Sequence, residues 1–206
     1  MRLYSYVVRW DHGFAPNPFH GPCTLATCKP GIRKGARIGD WVLGTGGKSR
    51  NQRGRPIFLM RVTEDTTFDD YWRDPRFAAK KPVLNGSYKI RFGDNIYHRA
   101  LPPAGPWIQA DSRHSKDGGV ANEKNLRTDT GTTDRVLISN DFIYWGDQAP
   151  ELPAGLKHLH IARQSYQYDF EEGDVAKLLR WAKGFNRWGR VGDPVEWNPR
   201  YAKHWK

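Results

Sequence analysis

His20, Cys23 and Cys28 are spaced H-x2-C-x4-C, a set that could hold a metal or supply a thiol nucleophile. Structural zinc wants four ligands, and catalytic zinc wants three plus an open position. No fourth ligand accompanies these three, and the H-x-E with P-C-x-x-C pattern of the zinc deaminases is absent. No metal is expected. Five residues apart in an extended run, the two cysteines face opposite sides, so at least one is expected in the core as a small apolar side chain. A reactive cysteine beside Lys29 is the chemistry that remains. Its candidate companions are His20 and Lys29, with Asp40 or Asp94 as general base, and no sequence signal marks that base. Carboxylates such as Asp74 and Asp94 on a metal, in a nuclease-like site, form a weaker alternative.

A second set of residues suits recognition. Asn17, His20, Thr24, Thr27 and Lys29 concentrate hydrogen-bonding groups in a segment shaped by Pro16, Pro18, Gly21 and Pro22. Such a segment holds polar groups at fixed positions, although Asn and Thr equally serve to cap turns. Trp41, Tyr71, Trp72, Phe77 and Trp145 are candidates to stack on a base. Asp40, Asn95, Gly44, Thr45 and Arg76 are candidates to line its pocket. Arg76 has a simpler reading beside Asp74, as a loop fastener.

GTGGKS (44–49) follows an extended run and suggests a phosphate loop. That motif needs a glycine five residues before Gly47, where Val42 stands, and no helical pattern follows Ser49. A nucleoside-triphosphatase is excluded. Lys48, Arg50, Arg53 and Arg55 remain as cations able to touch phosphate. No cofactor motif is present.

Charge supports a polyanionic partner. The 206 residues carry a net charge of +11. From Lys29 to Arg61 nine basic residues meet one acid, and from Arg180 to Lys206 seven meet two. Segregated positive charge suits DNA or a nucleotide, with RNA not excluded. Two cysteines are too few for a disulfide scaffold, and no signal peptide or long apolar run appears. The expected location is cytoplasmic, away from membranes. Oligomeric state is not encoded legibly.

The elements that must position these residues read as follows. Strands are predicted at 2–9, 41–46, 57–64, 87–92, 95–98, 135–139 and 142–145. A one-turn helix is predicted at 30–36, beginning with Pro30. A longer helix is predicted at 173–184, with Asp174 as N-cap and Gly184 as its end. The Gly/Asp/Asn-rich stretch 115–133, entered by His114, reads as a mobile loop. The class is α+β, a single compact domain with a mixed or barrel-like sheet flanked by short helices. Residues 1–185 form that domain, and 186–206 a basic, Trp-rich tail.

FAPNPFHGPCTLATCKPxIR (14–33) and IGDWVLGTG (38–46) together resemble the nucleotide-modification-associated domain of the second type, a family of bacteria and phages. DPRFxxKKP (74–82), GDNIY (93–97) and FIYWG (142–146) are similar to the same family. The resemblance implies a setting of DNA base modification and defence. The order of elements also resembles the PUA-like superfamily, including the EVE and ASCH domains, whose small barrel accepts a nucleobase at its mouth. Together these imply a module that recognises a possibly modified base, with an enzyme using the Cys23/Cys28/His20 segment as the alternative.

Overall fold

The computed structural model describes residues 1–163 and 165–201. In chain order its strands are β1 (Leu3–Val8), β2 (Cys23–Leu25), β3 (Trp41–Gly46), β4 (Pro56–Arg61), β5 (Glu64–Thr67), β6 (Tyr97–Leu101), β7 (Ala104–Gln109), β8 (Arg135–Ser139), β9 (Asp141–Tyr144), β10 (Tyr166–Gln167) and β11 (Gly189–Arg190). Its α-helices are α1 (Pro30–Gly35), α2 (Phe68–Arg73), α3 (Tyr88–Arg91), α4 (Glu123–Thr130) and α5 (Glu172–Lys183). Two compact units form. The first takes Met1–His12, Ala36–Thr63 and the described residues from Ser139 on, and the second takes Gly13–Gly35 and Glu64–Ile138.

The first unit is built on a mixed sheet of order β10-β1-β3-β4-β9-β11. β1 and β3 are parallel, with Leu3 opposite Trp41 and Val8 opposite Gly46. β3 and β4 are antiparallel, as are β4 and β9. Nearly continuous burial along β1, β3 and β4 explains why these strands read as apolar runs without alternation. Gly44 shows how tight this interior is, because a Cβ there would lie 2.0 Å from Phe58 Cε1. The sheet is mixed, as expected, but it is open. β10 and β11 are its edges, so no barrel closes.

α5 belongs to this unit and buries Val175, Leu178 and Ala182 on one face. Gly184 ends it, its N–H donating to the carbonyls of Arg180 and Trp181. The helix begins earlier than expected. Glu171 is its N-cap, and Asp174 instead pairs with His158 and Lys177. The stretch from 186 contributes β11, parallel to β9, and Trp197 Nε1 donates to the His12 carbonyl. Residues 202–206 of the predicted tail lie outside the described residues.

The second unit holds a three-stranded sheet, β2-β8-β5, and the β6–β7 hairpin. Thr67 caps α2 by accepting from the Asp70 N–H, and Asp69 and Asp70 in the first turn favour the helix dipole. Two expectations fail here. Residues 88–91 are a helical turn, not a strand; Gly86 and Gly93 bracket it, and a Cβ at Gly93 would meet the Lys80 carbonyl at 2.1 Å. The 115–133 segment contains α4, capped by Asn122 accepting from the Asn125 N–H. α4 buries only Asp129, so it leaves no apolar stripe for a sequence reading to find. β7 also went unpredicted, because Gly105 and Pro106 read as breakers. In a two-stranded hairpin a proline is tolerated.

Candidate functional site: a clustered cysteine, histidine and aspartate

The second unit brings Cys28 to the turn between β2 and α1. Cys28 and Lys29 both take left-handed backbone conformations, with φ of 59° and 42°. Such conformations cost on the order of 1 kcal/mol or more for non-glycine residues and cluster at functional sites. A nucleophile on a sharp strand-to-helix turn is held clear of its own backbone.

Across from the thiol stands His114. Its Nε2 lies 3.6 Å from Cys28 Sγ, and its Nδ1 lies 2.9 Å from Asp129 Oδ2. Asp129 is 1% exposed in the last turn of α4, where the helix dipole disfavours a carboxylate. Its neighbours offset this. Oδ1 accepts the Cys28 backbone N–H at 2.8 Å, and Oδ2 accepts the Tyr97 hydroxyl at 2.8 Å. Arg33, fully buried in α1, donates to the carbonyl oxygens of Asp129, Cys28 and Arg135. Its guanidinium lies 5.0 Å from the centre of the Phe68 ring.

His114 is held from several sides. Gln109 and Asn125 both donate to its carbonyl, at 3.3 and 2.9 Å. Phe14 packs edge-on against the imidazole, ring centres 4.7 Å apart. Burial alone pulls the His114 pKa down, but the hydrogen bonds to Asp129 and Cys28 outweigh it and raise the pKa to about 9. At neutral pH the ring is therefore an imidazolium facing a sulfur. Burial and the adjacent Asp129 push the Tyr97 phenol up, so it stays protonated and donates.

The ligand atoms of Cys28, His114 and Asp129 lie within 4.8 Å of one another, close enough to consider a metal. The ring, however, directs Nδ1 to Asp129 and Nε2 to Cys28. It touches both residues within one compact cluster. The carboxylate orients the ring, and the ring presents its other nitrogen to the thiol.

The remaining predicted residues fall into separate groups. Cys23 is fully buried in β2, and burial pushes its thiol up to about 12, so it is not a nucleophile at neutral pH. His20 is exposed on a turn with φ 58°. Burial lowers the Lys29 pKa. Thr27, beside Cys28, buries its Oγ1 without a hydrogen-bond partner, as does Asn95 with its Oδ1. Asn17, Thr24 and Tyr71 come together in an interior network. The Tyr71 hydroxyl donates to Asp94 Oδ1 at 2.7 Å, Thr24 Oγ1 donates to Asp94 Oδ2 at 2.7 Å, and Lys80 Nζ donates to Asn17 Oδ1 at 2.9 Å. Asn95 donates to the carbonyls of Tyr71 and Phe77. These groups brace the segment that carries Cys28.

Trp72 is half-buried and stacks on His98 with ring centres 4.2 Å apart, and Lys81 Nζ lies 4.0 Å from its centre. Arg76 fastens its loop to Asp74 and Glu64, both at 2.7 Å. In the first unit, Asp40 accepts from the backbone N–H groups of Arg2 and Arg37. Trp41 and Trp145 are buried. Thr45 Oγ1 lies 2.9 Å from His160 Nδ1. Arg50 pairs with Glu196 and Arg55 with Glu151, while Lys48 and Arg53 are exposed.

Sequence reasoning singled out Cys28 but missed His114 as its neighbour and Asp129 altogether. The partners lie 86 and 101 residues away along the chain, and only folding brings them near.

Fold and site thus define an α+β protein with a cysteine at the head of a histidine–aspartate pair. A family model described as nucleotide modification associated domain 2 matches residues 1–201, and the chain belongs to that family. No curated protein and no solved structure matches the chain. Among the described residues, no helix is long and apolar enough to cross a membrane.

Proposed function

We propose that the protein is an enzyme of nucleotide modification that acts through Cys28 as a covalent nucleophile. The observation that carries this reading is the pair of contacts His114 makes, Nε2 with Cys28 Sγ and Nδ1 with Asp129 Oδ2. The thiol proton leaves to solvent, and His114, held as an imidazolium by Asp129 and Cys28, stands beside the sulfur as its counter-cation. The thiolate, which is the reactive form, then attacks an electrophilic carbon of a base or nucleotide. His114 donates its proton to the atom on which negative charge develops. Asp129 keeps the ring oriented.

Family membership supports a nucleotide as substrate. Recognition of a modified base, the other function implied by the resemblance, is compatible with this chemistry, because an enzyme must also bind what it alters. The test is mass spectrometry of nucleotides and oligonucleotides incubated with the protein, alongside intact mass of the protein itself. Expected are a substrate change and a transient adduct mapped to Cys28, both absent from Cys28→Ala. A Cys28→Ala protein that alters its substrate at the unsubstituted rate refutes the proposal.

A further inference from the structure

The basic surplus in the sequence lies largely outside the cysteine site, and the first unit's sheet gathers part of it. β1 and β3 are parallel, β9 and β11 are parallel, and β4 runs opposite to both β3 and β9. Four strands therefore point the same way, and their carboxyl ends emerge along one edge. The register places Val8 beside Gly46 and Tyr144 beside Arg190. Just past those ends come Arg9 and Trp10, then Gly47 and Lys48, then Trp145 to Gln148, then Val191 to Asp193. The Gly47 N–H donates to the Val8 carbonyl, and an isolated bridge ties Gly46 to Arg53, so Arg9, Lys48 and Arg53 share that edge.

A cavity of about 460 Å³ opens there, lined by Trp145, Phe185, Asp147, Gln148, Arg187 and Arg190 among others. Pockets for small ligands run from about 300 to 1,000 Å³, combining apolar walls with a few polar groups. This one has an aromatic wall, two acids and an amide that could read a base edge, and two arginines, of which Arg190 pairs with Asp193 at 2.6 Å. Further along the edge, Trp10 is 46% exposed, with the guanidinium groups of Arg9 and Arg50 each 5.8 Å from its ring centre.

We propose that this carboxyl edge is a binding site for single-stranded nucleic acid. One base enters the cavity beside Trp145 and Phe185, a second stacks on Trp10, and the backbone meets Arg9, Lys48 and Arg53. Aromatic faces alternating with cations are what an unpaired strand requires, since its bases are free to stack on protein. A duplex presents phosphates but keeps its bases stacked on each other. Strands lie about 4.8 Å apart in a sheet, so β11 to β1, four spacings away, span roughly 19 Å. That is room for several nucleotides rather than one.

Fluorescence anisotropy with a labelled single-stranded 12-mer, and with its duplex, tests this across a range of salt. The single strand should bind more tightly than the duplex, with log affinity falling linearly against log salt. The triple variant Arg9→Glu, Lys48→Glu, Arg53→Glu should flatten that slope by about 2, at roughly 0.7 per lost phosphate contact. Phe185→Ala, at the rim, should weaken binding roughly tenfold and leave the slope unchanged. Circular dichroism confirms that each variant is folded. Wild-type affinity and slope in the folded triple variant, or tighter binding of the duplex, overturns the proposal. Because binding is read without reference to Cys28, failure of the thiol chemistry leaves this test intact.

Discussion

His114 Nε2 stands 3.6 Å from Cys28 Sγ, while the other cysteine, Cys23, is fully buried five residues away in β2. One thiol faces an imidazolium, and the other is held protonated by burial. Iodoacetamide at neutral pH is therefore expected to modify one cysteine per chain, and peptide mapping should place the label on Cys28. Cys28→Ala should abolish labelling of the folded protein, and Cys23 should react only after denaturation. Equal labelling of both thiols in the native state contradicts the assignment.

Asp129→Asn isolates the role of the carboxylate. The amide can still accept the Cys28 N–H, but the negative charge that holds His114 protonated is gone. Burial then dominates, and the His114 pKa should fall by more than one unit, visible in an NMR titration of the imidazole. Labelling of Cys28 near neutral pH should slow in parallel. Removing one member of a buried ionic network also costs about 3 kcal/mol in stability, measurable by urea denaturation. An unchanged His114 titration means that Asp129 only packs.

The strands of the first unit were legible because they are apolar through their length. The predicted run 41–46 is β3 to the residue, and Pro30 opens α1 as its fixed φ dictates. The histidine–aspartate half of the site was not legible, for a physical reason. α4 is polar on nearly every face and is held by the Asn122 cap and by hydrogen bonds to Asp129, none of which leaves a periodic signal. His114 entered a segment whose composition reads as mobile, yet Gln109, Asn125 and Asp129 fix it. The arginines of 48–55 were read as phosphate contacts as a group. Folding divides them, giving Arg50 and Arg55 carboxylate partners and leaving Lys48 and Arg53 exposed.

Tyr71→Phe tests the interior network that braces the Cys28 segment. The change removes one hydroxyl from a fully buried ring and leaves Asp94 Oδ1 without that donor. Burial already raises the Asp94 pKa, and loss of a hydrogen bond to the carboxylate should raise it further. A hydrogen bond to a charged group contributes about 1.5–3 kcal/mol, so a loss of roughly 2 kcal/mol is expected in urea denaturation at neutral pH. The loss should shrink when the measurement is repeated at a second, lower pH, as Asp94 takes up a proton. A loss that is the same at both pH values assigns Tyr71 to packing alone.

The raised pKa of His114 has a consequence for stability. Its folded value, about 9, lies above the unfolded value of 6.5, so folding favours the protonated ring. The stabilisation is fully present below pH 6.5, declines as pH rises between 6.5 and 9, and is lost above 9. At 1.36 kcal/mol per unit, the shift sets an upper value of about 3 kcal/mol. Unfolding free energies measured from pH 6 to 9.5 should fall more steeply in the unsubstituted protein than in His114→Gln, which cannot take up the proton. If the two curves run parallel across that window, the imidazolium is not what the folded state stabilises, and Cys28 loses the partner on which its proposed chemistry depends.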